Sequence, residues 1–133
     1  MPLPLVSVVM LCWNRKEDVR EGLTRLYSNN YPNLEIIVVD NASTDGTPEM
    51  IIENFPQVKL IRMEENIGVG AYNVGFEAAS GEYILILDDD SFPAKEAIQR
   101  MVEKFEQNPQ LGVVAFDVRN YEAYDQVAEE LPN

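Results

Sequence analysis

Val6 to Leu11 is apolar except for Ser7, and beyond Asn14 the residues Val19, Leu23, Leu26 and Tyr27 recur at intervals of four, three and one. The first pattern suits a strand buried on both faces, the second a helix with one apolar side. The same pair then repeats along the chain. Asn14 is placed to cap a helix from Arg15 to about Tyr27, and Asn29-Asn30-Tyr31-Pro32-Asn33 is turn chemistry. Glu35–Val39 reads as a second strand, and Thr47-Pro48 as a cap and first helical residue for a helix to about Asn54. Val58–Met63 is a third strand, and Gly68–Ala79 has apolar residues at helical spacing behind weakening glycines. Tyr83–Leu87 is a fourth strand, Lys95–Gln107 a fourth helix and Leu111–Phe116 a fifth strand. Such alternation predicts an α/β fold: a Rossmann-like, mainly parallel sheet covered by helices on both faces, its strand order reversing near the first strand. No internal repeat or linker interrupts it, so residues 1–133 read as a single domain. The acidic stretch 120–133 is open between a helix, with Tyr121, Tyr124, Val127 and Leu131 as its stripe, and a frayed end.

Composition removes several kinds of chemistry. With 10 Lys and Arg against 23 Asp and Glu, the formal charge is −13, which disfavours nucleic acid and anionic membranes as partners. The chain has no His, so triads and proton shuttles built on imidazole, and the usual zinc sites, are excluded. The single Cys12 rules out an internal disulfide and suits a reducing compartment. No apolar run approaches the roughly 20 residues of a spanning helix, and the start Met-Pro-Leu-Pro lacks the basic region of an export signal. The expected location is cytoplasmic, with peripheral membrane attachment open through further regions. Any chemistry here must rest mostly on carboxylates, with a hard, oxygen-seeking cation as a candidate helper.

In an open parallel sheet, ligands bind beyond the carboxyl ends of the strands. Those ends carry Cys12-Trp13-Asn14-Arg15, Asp40-Asn41-Ala42-Ser43, Glu65-Asn66-Ile67-Gly68 and Asp88-Asp89-Asp90. Each loop alone is explained by solvent exposure and helix capping. The three consecutive aspartates are less easily so explained, because adjacent carboxylates repel unless neighbours or a cation compensate. They follow an uncharged strand and precede Ser91-Phe92-Pro93, which ends the extended segment. Mg²⁺ or Mn²⁺ shared with phosphate oxygens is the chemistry such a cluster suits; a solvated acidic turn is the alternative. Gly68-Val69-Gly70-Ala71-Tyr72-Asn73 has Asn73 where a dinucleotide fingerprint needs its third Gly, and it follows the third strand rather than the first. A nicotinamide or flavin site is therefore rejected, and no Walker-type phosphate loop occurs.

Four segments together resemble the N-terminal, nucleotide-sugar-binding portion of a family 2 glycosyltransferase with the GT-A fold. They are Val6-Ser7-Val8-Val9 with Asn14-Arg15, Glu35 through Thr47, Asn66-Ile67-Gly68 with Asn73-Val74-Gly75, and Gly81-Glu82-Tyr83 through Asp90 with Pro93. The resemblance implies transfer of a sugar from a UDP-, dTDP- or GDP-linked donor to a saccharide or lipid-linked acceptor, with inversion and with Mg²⁺ or Mn²⁺. It implies that Trp13 stacks on the base, that Asp40 accepts a hydrogen bond from it, and that Asn14 holds the base or ribose. Asn66 and Gly68 would line the donor site. Asp88 and Asp90 match the DXD signature, the first reaching ribose or metal and the last holding the cation, while Asp89 faces the sugar.

The resemblance also marks two departures. Where the family often has Ala-Arg-Asn-x-Gly, this chain reads Ala71-Tyr72-Asn73-Val74-Gly75, which leaves the base identity open. The general base and the acceptor region of such enzymes follow the DXD segment, and none of Glu122, Asp125, Glu129 and Glu130 has a spacing that marks it as the base. The expectation is thus a donor-binding half, inefficient at transfer by itself, with a homodimer through the segment after Leu111 as a further expectation. Two other readings compete. A nucleotidyltransferase should carry a Gly-rich basic loop after the first strand, where Trp13-Asn14-Arg15-Lys16 stands. A non-catalytic nucleotide- or metal-binding module of the receiver type should carry acids at the ends of strands one and three, where Trp13-Asn14 and Glu65-Asn66 stand.

Overall fold

The computed structural model describes residues 3–119. Its elements run β1 Val6–Cys12, α1 Lys16–Tyr27, β2 Leu34–Asp40, α2 Thr47–Asn54, β3 Lys59–Arg62, a 3-10 turn Gly68–Ala71 leading into α3 Tyr72–Ala78, β4 Tyr83–Asp88 and α4 Ala97–Gln107. The strands form one parallel sheet in the order β3-β2-β1-β4, so the reversal falls at β1 as the alternation predicts.

Strands buried on both faces need helices on both faces, and the helices divide accordingly. Val6, Val8, Met10, Ile36, Val38, Leu85 and Leu87 pack against α1, α2 and α4 through Val19, Leu23, Leu26, Met50, Ile51, Ile98, Met101 and Val102. On the opposite face Val9, Ile37 and Val39 meet the 3-10 turn through Ala71 and α3 through Tyr72 and Phe76. That second layer is thin because α3 lies almost on the strands: a Cβ on Gly75 would fall 2.4 Å from Val9 Cγ1 and 3.0 Å from Val39 Cγ2. Along β4 the same face is open to solvent at Ile84 and Ile86.

Register places the site. Val6 pairs with Leu34 and Cys12 with Asp40, while Leu11 pairs with Asp88, so the carboxyl ends of β1, β2 and β4 are level. At the opposite end a polar clamp closes the sheet: Glu35 accepts hydrogen bonds from Ser7 Oγ (2.8 Å) and the Ser80 N–H (2.9 Å) and an ion pair from Lys59 (3.2 Å). Burial pushes the Glu35 carboxyl up, but these donors outweigh it and hold it below the usual glutamate range. A depressed carboxylate contributes stability above its unfolded pKa and loses it as pH falls through the folded value. Glu35→Gln should therefore lower stability near neutrality and flatten the acid limb of a stability–pH profile, which denaturant melts at a series of pH values will read.

Two expectations are corrected here. The apolar run Leu111–Phe116 is not a strand: it has no regular secondary structure, with Val114 and Phe116 against the core and Val113 82% exposed. From Val113 to Phe116 it alternates outward and inward as a strand would, but among the described residues no strand edge pairs with it. Asn14 does not cap α1, whose N-cap is Arg15 without a side-chain bond; instead the Lys16 N–H donates to Asp45 Oδ2 across the loops, at 3.0 Å. Asp45 also receives the Thr47 N–H (3.0 Å) and the Thr47 hydroxyl, so one carboxylate serves the first turns of two helices. The stretch 120–133, with Glu122, Asp125, Glu129 and Glu130, lies outside the described residues.

Candidate functional site

Each βα loop at the carboxyl edge is held by a side chain of its neighbour. Between β1 and β2, the Asn14 N–H donates to Ser43 Oγ at 2.9 Å, and Asn14 Oδ1 accepts the Thr44 N–H at 2.7 Å. Asn14 stands at φ +52°, a left-handed conformation that Asn tolerates better than most residues, and this turns its amide toward the β2 loop. Its Nδ2 is left without a partner among the described residues. Between β2 and β3, buried Asn41 donates to the Gly68 carbonyl (3.0 Å) and accepts the Ile67 N–H (3.1 Å). Asn66 Oδ1 caps the Gly68 N–H at 2.9 Å, and Gly68 takes φ +72°, where a side chain would be strained.

Asp40, expected to accept a hydrogen bond from the base, is buried at the end of β2. It is 1% exposed, with Oδ1 accepting the Cys12 thiol at 3.4 Å and Oδ2 the Ser43 N–H at 2.9 Å. Burial, together with the negative charge and hydrogen bond of Asp40, pushes the Cys12 thiol up, which keeps it protonated as the donor. Asp40 thus braces the β2–α2 loop from behind. Trp13 is the converse: it is 52% exposed, so its ring is not a core element and presents a free face at the sheet edge.

The aspartate triplet separates into two kinds. A turn closes at Ser91, whose N–H and hydroxyl both reach the Asp88 carbonyl at 3.4 Å. Asp89 points back toward β1, its side chain 18% exposed, accepting the Trp13 N–H and lying 3.9 Å from Arg15 Nε. Burial raises its pKa against the opposing pull of that N–H and of Arg15, and the charges of Asp90 and Asp18 raise it further. Asp89, expected to face the sugar, braces the Trp13 loop. Asp88 and Asp90 are exposed. Asp88 Oδ1 accepts a hydrogen bond from Tyr72 Oη at 3.1 Å, and Asp90 has no protein partner among the described residues.

Those two carboxylates fit a hard divalent cation. The donors at this edge are oxygens, no imidazole exists in the chain, and the one thiol is buried and protonated. Among the described residues no group of three or more Cys, His, Asp or Glu is arranged to hold a metal unaided. A cation here would therefore complete its shell with phosphate oxygens and water, as Mg²⁺ and Mn²⁺ do with one or two carboxylates.

The sequence places Arg15, Asn41 and Ser43 at this edge without a role for any of them, and gives no sign that Tyr72 belongs to it. Arg15 and Ser43 stand inside motifs the resemblance singles out, and Tyr72 stands where the motif is broken; only the fold shows what each one touches.

The sheet order and the level strand ends define a Rossmann-like α/β fold of the GT-A type. The chain belongs to glycosyl transferase family 2, whose sequence model matches residues 7–130. It is 36% identical over 117 residues to a poly-beta-1,6-N-acetyl-D-glucosamine synthase of Staphylococcus epidermidis, covering 86% of this chain and 28% of that protein. It is 34% identical to an uncharacterized glycosyltransferase of Haemophilus influenzae, covering 81% of this chain and 45% of that protein. Among solved structures, a mannosyltransferase from Pyrobaculum calidifontis in complex with GDP-Man and Mn²⁺ superposes with a TM-score of 0.81 at 31% identity, over 94% of this chain and 39% of that one. S. aureus TarS in complex with UDP-GlcNAc superposes with a TM-score of 0.74 at 26% identity, over 87% of this chain and 37% of that one. The chain thus spans less than half the length of these relatives. Among the described residues no helix is long and apolar enough to cross a membrane.

Proposed function

We propose that this chain binds the donor of a sugar transfer: a nucleotide-diphosphate sugar held through Mg²⁺ or Mn²⁺, from which the sugar passes with inversion to a saccharide or lipid-linked acceptor. The observation that carries the proposal is the split of the triplet, with Asp88 and Asp90 exposed at the level strand ends and Asp89 withdrawn to brace the Trp13 loop. Structural relatives that hold GDP-Man with Mn²⁺ and UDP-GlcNAc support it. The roles then follow from position. Trp13 offers a ring for the base, and Asn14 Nδ2, unpartnered among the described residues, is a donor on the adjacent residue. Asp40 and Asn41 set the loops behind, while Asn66 and Gly68 hold the β3 side of the crevice open to a close backbone approach. A bound cation offsets the diphosphate charge and stabilises it as a leaving group. The β1–α1 loop is folded onto the β2 loop and has no glycine, unlike the Gly-rich embrace a triphosphate needs.

Base stacking on an aromatic is worth about 1–3 kcal/mol. Trp13→Ala should weaken UDP or GDP binding by roughly tenfold, which corresponds to ~1.4 kcal/mol, while thermal stability stays near wild type because the ring is exposed. Nucleotide titration followed by the fluorescence of this sole Trp in wild type should show quenching. An unchanged affinity in the variant, or a loss of stability instead, would remove Trp13 from the base site.

A further inference from the structure

Tyr72 breaks the sequence motif in which it stands, and the structure shows what the exchange provides. It is the first residue of α3, and its helix is fixed in depth by buried Ala71 and by Gly75 lying against Val9 and Val39. Its ring stacks on Phe76 at 5.9 Å between centroids, which fixes the direction of the hydroxyl. From there Tyr72 Oη lies 2.9 Å from the Leu87 carbonyl and 3.1 Å from Asp88 Oδ1. One phenolic hydrogen serves two acceptors, one of them ionised, and a hydrogen bond to a charged acceptor is the stronger kind.

We infer that Tyr72 is a positioning residue for the cation site: it fixes the Asp88 carboxylate in one orientation through Oδ1, and leaves Oδ2 and the full negative charge of Asp88 to the metal. The inference rests on reading Asp88 and Asp90 as the cation–diphosphate site. Its physical content lies in what Tyr72 is not. An arginine, the residue the family motif often has there, would bring a positive charge beside the acid that must attract the metal. A phenol orients the same carboxylate while leaving that charge uncancelled. Asp90, without a protein partner among the described residues, has no comparable restraint there, so order in the pair comes from Asp88.

Tyr72→Phe removes one oxygen and keeps the ring. Titrations of UDP and GDP with Mn²⁺ present and with excess chelator, by calorimetry, together with Mn²⁺ EPR, would compare wild type, Tyr72→Phe, Asp90→Ala and a protein with para-aminophenylalanine at position 72. Tyr72→Phe should weaken the Mn²⁺-dependent affinity by about tenfold, ~1.4 kcal/mol, and leave binding in chelator unchanged. The para-amino ring, which restores a donor at the same reach, should recover most of the loss, a recovery that a merely structural role for the ring would not produce. If Tyr72→Phe keeps wild-type Mn²⁺-dependent affinity while Asp90→Ala loses it, the role of Tyr72 is overturned and the cation site stands. If wild type shows no dependence on Mn²⁺, both fall. If Tyr72→Phe fails to fold and the para-amino protein, folded, binds no better than Asp90→Ala, the positioning role is likewise overturned.

Discussion

Alanine in place of Asp90 is expected to abolish the Mn²⁺-dependent part of nucleotide diphosphate binding while leaving the fold intact. Asp90 is exposed and has no protein partner among the described residues, so its loss should cost no more than the about 0.5 kcal/mol typical of a surface substitution. Its loss also halves the carboxylates available to the cation, and no third acid stands ready among the described residues to replace it. Outer partners of metal sites are commonly worth about 10–100-fold in affinity, so a direct ligand should cost about 100-fold or more. In chelator the sign should reverse or vanish, because the variant presents one fewer negative charge to the diphosphate. Calorimetric titration of UDP and GDP in Mn²⁺ and in chelator, beside a thermal melt, reads all of this. A variant with wild-type affinity in Mn²⁺ would remove Asp90 from the site.

Gly75→Ala should be the most damaging single-methyl change in the second core layer. The new Cβ would lie 2.4 Å from Val9 Cγ1 and 3.0 Å from Val39 Cγ2, and both partners are β-branched residues of central strands. Neither can swing aside as a flexible chain end would, so the expected cost is at the upper end of the about 1–3 kcal/mol for overpacking. The helix that must lift is the one carrying Tyr72, so Mn²⁺-dependent nucleotide binding should weaken in the surviving folded fraction as well. Denaturant melts and binding titrations on one preparation measure both. Unchanged stability would contradict the close seating of α3 on Val9 and Val39.

The sheet was legible in the sequence because its strands are apolar on both faces and its helices carry a clear period. Val6–Leu11, Glu35–Val39 and Tyr83–Leu87 each fall within a residue of an observed strand. Leu111–Phe116 shows the limit of that reasoning. An inward–outward alternation marks which side chains are covered, but a strand also needs a partner edge in register, which lies elsewhere in the chain. The polar edge was legible as a place and less so as a set of roles. Adjacent aspartates look alike in sequence, yet the turn ending at Ser91 leaves Asp88 and Asp90 at the surface and folds Asp89 back onto Trp13 and Arg15. Asn14 and Asp40 similarly hold loops through bonds to Thr44 and Ser43, partners about thirty and three positions away that spacing alone does not identify. Tyr72 read as the loss of an arginine; its contact with Asp88 depends on how deeply Gly75 lets α3 settle.

The central claim is that cation and nucleotide diphosphate complete one another's binding at Asp88 and Asp90. The most direct test is a reciprocal titration: Mn²⁺ affinity of the chain with and without saturating UDP, GDP or dTDP, and nucleotide affinity with and without saturating Mn²⁺. With two carboxylates and, among the described residues, no protein-only cage, Mn²⁺ alone should bind weakly, and at least one nucleotide should tighten it by the same factor by which Mn²⁺ tightens the nucleotide. Mn²⁺ and nucleotide affinities that are independent of each other, or no nucleotide binding in the presence of Mn²⁺, would contradict the account.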